Sequence, residues 1–189
     1  MEELRYLALL VVSAPLLAAV VIGLLNKAIS RGATNWLACS LMTCSFGVSL
    51  YILIGFLTNR FITWDSNIYL WARAGALEIH LGFLLDRLTA IMMTVVTFVS
   101  LTVHVYSIGY MRDDSGYQRF FCYISLFTFS MLMLVMANNL LQLFFGWEAV
   151  GLLSYLLIGF WYKKNTANYA ALKAFIVNRV GDLGLIVGI

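Results

Sequence analysis

The chain has 189 residues, 62% of them hydrophobic and 11% charged, with a single proline. Together with a mean hydropathy of +0.91, this excludes a soluble globular domain and requires a polytopic membrane protein. The formal charge of +3 is mild, and no polybasic run or nucleic-acid motif accompanies it. Basic residues here therefore set topology rather than bind nucleic acid.

Apolar runs predict about six transmembrane helices of ~20 residues in one membrane domain spanning 1–189. They cover about 6–25, 36–57, 84–109, 119–137, 139–160 and 168–189. The first run, Tyr6–Leu25, follows Glu2 and Glu3 rather than a basic segment. It is too long for a signal-peptide core and lacks a clear cleavage site, so it reads as a retained helix. Between the second and third spans lies one long polar connection. Within it Leu77-Glu78-Ile79-His80-Leu81 alternates apolar and polar residues, and Asn67–Trp71 is rich in β-formers, with Gly75 available for the turn. A small outward-facing β-hairpin is expected there, with His80 solvent-exposed on its polar side. Asp86 and Arg87 open the third span and anchor it at the outer interface. His104, near that helix's inner end, suits a hydrogen-bonded packing role; a proton shuttle is the alternative. Asn138-Asn139 marks a very short turn before the fifth span.

The connections after spans one, three and five carry Lys27, Arg31, Arg112, Arg119, Lys163 and Lys164; the opposite side carries Arg5, Arg60 and Arg73. This asymmetry places the first set on the cytoplasmic side. Trp36 and Trp161 suit the interface belts. Cys39, Cys44 and Cys122 show no metal or disulfide spacing; the first two point about 140° apart on one helix. All three read as small buried hydrophobes. Ala19/Gly23 and Gly184/Gly188 have the small-residue spacing that lets helix backbones approach closely. Packing within the protein is the expected use.

Glu148 stands alone as a charge in the apolar run 140–160. A carboxylate near the centre of a membrane span is costly and points to function. The last span carries Lys173, Arg179 and Asp182. Arg179 and Asp182, three apart, share a helix face and can pair, and Asn178 can join them. If spans five and six form a hairpin about Lys164, Glu148 stands sixteen residues before the turn and Arg179 fifteen after it. At ~1.5 Å per residue both then lie roughly 14–15 Å from the outer end. Correct helix rotation would join Glu148, Arg179 and Asp182 in one cluster. That cluster is either a structural ion pair or a proton relay, in which a cation moving nearer or further switches a carboxylate between releasing and holding a proton. Lys173, nearer the cytoplasmic end, either snorkels to the interface or joins the relay. The sequence shows no phosphate loop, iron–sulfur cysteine set or serine nucleophile constellation.

The tract Phe145-Gly146-Trp147-Glu148-Ala149-Val150-Gly151-Leu152-Leu153-Ser154-Tyr155, running on to Trp161, resembles the antiporter-like subunit L (chain 5) of respiratory complex I, the NADH–quinone oxidoreductase. Asn168–Asp182, Gly82–Thr89 and Ser107–Met111 are similar to further segments of that family. The resemblance implies a proton-translocating membrane-arm subunit in which Glu148 is the proton-site carboxylate. Arg179 and Asp182 would belong to its network, and Lys173 would match a position of less certain role. It implies no cofactor in this chain, with NADH, FMN, iron–sulfur clusters and quinone held by partner subunits. It implies as partners the other membrane-arm subunits, especially a neighbouring antiporter-like one, and a bacterial inner membrane rather than a mitochondrial one. Family members carry many more helices, including a seventh-helix lysine that pairs with the fifth-helix carboxylate, so the chain reads as an amino-terminal fragment. Two alternatives stand beside this reading: a subunit of a multisubunit sodium/proton antiporter, and a membrane scaffold without transport.

Overall fold

The computed structural model of the chain describes residues 2–26, 28–74 and 77–188. Among the described residues there are six helices and two strands. They are α1 (Glu2–Leu24), α2 (Arg31–Leu57), β1 (Trp64–Ala74), β2 (Leu77–Leu85), α3 (Arg87–Tyr110), α4 (Tyr117–Val135), α5 (Leu140–Ile158) and α6 (Asn165–Gly188). This is the expected helical membrane architecture with a hairpin between the second and third helices. α1–α5 are each long and apolar enough to cross a bilayer. α6 has the length, at 24 residues, but Lys173, Arg179 and Asp182 lower its apolarity. Of six expected spans, five among the described residues therefore qualify by composition.

The helices alternate in direction, and their connections gather at two ends. At one end Arg31 Nη2 donates to the Asp114 carbonyl (3.1 Å), Gln118 Nε2 to the Ile29 carbonyl (3.3 Å) and Arg119 Nη2 to the Phe160 carbonyl (3.1 Å). The connections after α1, α3 and α5, the set richer in basic residues, thus meet at one end; Lys27 lies outside the described residues. At the other end Arg60 pairs with Glu3 at 3.4 Å.

α1 to α4 form the packed bundle. α1 lies against α2 and α4, and α3 against α2 and α4. Pro15 inside α1 lacks the N–H that would bond the Val11 carbonyl four residues earlier. Ser45 Oγ of α2 donates to that carbonyl instead, at 2.8 Å. A helix defect becomes an interhelical clasp, as apolar surroundings require. Cys122 Sγ of α4 contacts the Ala19 carbonyl at 3.3 Å, and a Cβ on Gly23 would meet that sulfur at 3.0 Å. The Ala19/Gly23 pair is thus a packing seam within the protein. Gly184 and Gly188 have nothing within 4 Å of a built Cβ, so that second pair faces open space among the described residues. The cysteines are less buried than expected: Cys39 and Cys122 are half-buried and Cys44 is exposed. An apolar thiol can face lipid at no cost, so hydrophobicity in a span does not imply a protein neighbour.

The hairpin is longer than the sequence suggested. It pairs antiparallel from Trp64↔Leu85 to Ala74↔Leu77, with register shifts after Asn67 and Leu70; Gly75 lies outside the described residues. Leu84 and Leu85, expected at the start of the third span, are strand residues. Their apolarity serves the core, where Leu85 and Phe83 are buried. α3 begins at Arg87 because Asp86 caps it, accepting from Thr89 N at 2.7 Å. His80 is half-buried rather than exposed, with Nε2 3.2 Å from Glu78 Oε2.

The turn between α4 and α5 holds the hairpin down. Asn138 Nδ2 donates to Asp65 Oδ1 (2.9 Å) and Asn67 Oδ1 (3.0 Å), and Asn139 Nδ2 to the His80 carbonyl (2.9 Å). Leu84 N donates to the Met136 carbonyl (3.0 Å) and Gly82 N to Gln142 Oε1 (3.0 Å). Asn139 also caps α5 by accepting from Gln142 N at 2.8 Å. Gly82 has no room for a side chain, since a Cβ would fall on Asn138.

Candidate functional site

Glu148 sits mid-way along α5, eight residues after Leu140 and ten before Ile158. Gly146, one turn-half earlier, fixes how α5 meets α4. A Cβ there would lie 2.8 Å from Leu134 Cα, so the two backbones approach as closely as only glycine permits. α5 then offers its other side to α6, which packs mainly on α5. At the near end of this hairpin a Cβ on Gly159 would meet Ala171 Cβ at 3.2 Å.

This packing brings three of the four residues singled out in the sequence together. Arg179 Nη1 pairs with Glu148 Oε2 and also lies 3.5 Å from Asp182 Oδ2. Asp182 is fastened from its other oxygen, Oδ1, by the Trp147 indole N–H at 2.8 Å. The Arg179 guanidinium stands over the Phe175 ring, 4.7 Å from its centroid, and that ring contacts Tyr155. One cation is thus shared by two carboxylates, one from each helix.

The cluster is unevenly covered. The Asp182 side chain is 6% exposed, against 21% for Glu148 and 38% for Arg179. It is therefore a partly open cluster on the flank of the hairpin. Arg179 Nε is buried without an acceptor among the described residues. Lys173 stands apart, exposed and six residues along α6 from Arg179, about 9 Å of helix rise. Asn178 is also exposed and lies beside Gly151 rather than on Asp182.

Sequence reasoning did not assign Trp147 and Phe175. A signal existed for Trp147: an indole N–H in mid-membrane needs an acceptor, and Asp182 is the carboxylate on the facing helix. Phe175 is four residues before Arg179, the spacing at which side chains meet on a helix.

A second polar group lies in the bundle. His104 is fully buried, with Nδ1 2.8 Å from the Ser100 carbonyl and Nε2 3.0 Å from Ser125 Oγ. The carbonyl can only accept, so Nδ1 carries a hydrogen, and Ser125 Oγ bonds the ring's other nitrogen. Ser100 Oγ in turn bonds Thr128 Oγ1. The Ser125 and Thr128 contacts join α3 to α4 and the Ser100 carbonyl contact lies within α3, an arrangement that fits the hydrogen-bonded packing role read from the sequence. Among the described residues, no group of three or more His, Cys, Asp or Glu side chains comes together to hold a metal.

Residues 71–121 match the family described as NADH-Ubiquinone oxidoreductase (complex I), chain 5 N-terminus, and residues 137–189 the family described as NADH:quinone oxidoreductase/Mrp antiporter, TM. The second match contains Glu148, Arg179 and Asp182. NADH-quinone oxidoreductase subunit L of Neisseria meningitidis serogroup A is 53% identical over 184 residues, covering 97% of this chain and 27% of that protein. The chain belongs to the family of antiporter-like membrane subunits of complex I and the Mrp antiporters. It spans about a quarter of the length of the curated subunit L relatives it matches. In structure it is similar to the Mrp complex from Dietzia sp. DQ12-45-1b, with a TM-score of 0.77 and 25% identity, covering 95% of this chain and 18% of that one. The membrane-bound sulfane sulfur reductase, an archaeal respiratory membrane complex, shares the fold with a TM-score of 0.78 at 14% identity, covering 96% of this chain and 36% of that one.

Proposed function

We propose that this chain is part of a proton-translocating membrane-arm subunit of an NADH–quinone oxidoreductase, with Glu148 as the carboxylate that holds and releases the proton. The observation that carries this is the shared cation: Arg179 touches Glu148 while Asp182, tied to Trp147, waits 3.5 Å away on the same guanidinium. A cation in contact favours an ionised carboxylate, and its withdrawal favours the protonated one. A small swing of Arg179 toward Asp182 would free Glu148 to take a proton, and the return swing would expel it. Asp182 is suited to the waiting role because the indole fixes its orientation. The open flank beside Glu148 is where further groups of the assembly would deliver and accept the proton.

In this reading α6 crosses the bilayer with α1–α5, its charges tolerated because two of them face α5. Lys173 reaches the interface or extends the relay. Redox groups and quinone belong to partner subunits, among them a neighbouring antiporter-like subunit, in the plasma membrane of a bacterium. Bacterial relatives at high identity support that location. The likeness to an Mrp complex supports a second reading, a subunit of a sodium/proton antiporter. The higher identity to subunit L, 53% against 25%, favours the first.

The test is Glu148→Gln in the full-length protein within its assembled complex. The relay reading expects normal assembly with proton pumping lost. Undiminished pumping by the assembled variant would sink it, and impaired assembly with intact specific pumping would favour a scaffold.

A further inference from the structure

The end of the bundle where α1, α3 and α5 lead into their connections carries an open cleft of ≈ 570 Å³. Its walls include Arg119, Lys163, Lys164, Trp161, Tyr162 and Gly116. Arg119 is held rigidly: its guanidinium stands 4.7 Å from the Phe160 ring centroid and 5.2 Å from that of Tyr162, and Nη2 donates to the Phe160 carbonyl. Its Nε is buried without an acceptor among the described residues. Lys164 Nζ lies over the Trp161 ring at 5.0 Å. The N-terminus of α4 opens here at Gly116, which supplies no side-chain cap.

The anions nearby are accounted for. Asp114 also lines the cleft, but one of its oxygens accepts from the Trp161 indole (2.9 Å) and the other from Gly116 N (2.7 Å). Those two bonds, with Arg119 and Arg31 nearby, hold its carboxyl below the ordinary aspartate range. Asp113 is exposed on the same connection. Against these two carboxylates stand Arg31, Arg112, Arg119, Lys163 and Lys164. The net excess is positive, and it sits at the depth of Trp161 and Tyr162, aromatic residues of the kind that mark a membrane–water interface.

We propose that this cleft binds the phosphate headgroup of an anionic phospholipid of the cytoplasmic leaflet. A preorganised guanidinium recognises phosphate. Two lysines on flexible stems and an uncapped helix N-terminus add charge complementarity. The aromatic rim suits the glycerol and upper acyl region. Basic pockets between transmembrane helices on this side of a membrane are suited to such headgroups. The proposal rests on membrane placement and not on the proton-relay reading, so failure of one leaves the other standing.

The experiment places the full-length protein, in its complex, in phosphatidylcholine nanodiscs carrying a minority of spin-labelled phosphatidylglycerol. The readout is the motionally restricted lipid signal. At ~1 kcal/mol per basic residue near the surface, Lys163→Gln with Lys164→Gln should weaken association about thirty-fold, and each alone about five-fold. Arg60→Gln at the opposite end should change nothing. Raising the salt concentration with wild-type protein should also release the lipid, which repeats the test without a substitution. Three results would overturn the proposal. One is equal restriction of spin-labelled phosphatidylcholine. Another is an unchanged signal in the double variant. The third is displacement by inorganic phosphate as effective as by unlabelled phosphatidylglycerol, which would make this a free-anion site.

Discussion

The α1–α4 bundle and the α5–α6 hairpin solve the same problem in opposite ways. In the bundle neutral polar groups join neighbouring helices: Ser45 of α2 on the Val11 carbonyl of α1, His104 of α3 on Ser125 of α4, and Ser100 of α3 on Thr128 of α4. These links between helices need no charge. In the hairpin Glu148, Arg179 and Asp182 meet at the interface of the two helices, and among the described residues of α6 Ala171 and Asp182 are the buried ones. Leu172, Ile176, Val180, Leu183 and Val187 are left uncovered. The bundle is a finished support. The hairpin presents a charged pair on a flank, where a shift of one side chain changes the balance between two carboxylates.

The seam between the two regions is the most sensitive point for stability. Gly146→Ala forces a methyl against the α4 backbone at Leu134, an overpacking that should cost about 1–3 kcal/mol and lower the thermal unfolding midpoint in detergent. Gly184→Ala, in open space, should be neutral or add up to about 1 kcal/mol from helix propensity. Equal effects would erase the contrast between a packed seam and an open face. Next, Asn139→Ala removes both the α5 cap and the bond to His80, and should cost about 1–2 kcal/mol. Proteolysis of the hairpin should accelerate with it. Within the bundle, Ser45→Ala leaves the Val11 carbonyl unpaired opposite Pro15, expected at about 0.6–1.7 kcal/mol. Ser45→Ala in a chain that also carries Pro15→Ala should cost less, because the carbonyl regains its own amide.

The smallest effect concerns pH at the lysine-rich end. The folded-state pKa of Asp114 is lowered, chiefly by the Trp161 hydrogen bond. Its contribution is therefore full above the ordinary aspartate value of ~4. It is lost as pH falls from there through the lower folded value. Trp161 emission, read as the difference from Trp161→Phe, should change only in that acid window, and Asp114→Asn should abolish the change.

Much of this organisation was legible in the sequence. Long apolar runs dictate helices because the bilayer forbids unpaired backbone. Alternation about Glu78 and His80 marked the hairpin. A short connection around Lys164 was enough to put Glu148 and Arg179 at one depth. Rotation about the helix axes was not legible, because α5 is apolar on nearly every side and so carries no stripe that says which face meets α6. The docking of the hairpin on Asn138, Asn139 and Gln142 was equally hidden, since local pattern does not reveal which turn a strand will meet. Leu84 and Leu85 were misplaced because hydropathy alone cannot separate a core strand from a helix start. Cys44 was misplaced because lipid-facing and buried positions have the same composition in a membrane.

The central claim is that the carboxylate must stand on α5, and not merely that a carboxylate must pair with a guanidinium. Exchanging the two, with Glu148→Arg and Arg179→Glu in the assembled complex, tests this most directly. The account predicts that the exchanged pair restores assembly where the single Glu148→Arg change impairs it, while proton pumping stays lost. Recovery of pumping together with assembly would show that the pair is structural, and would contradict the account.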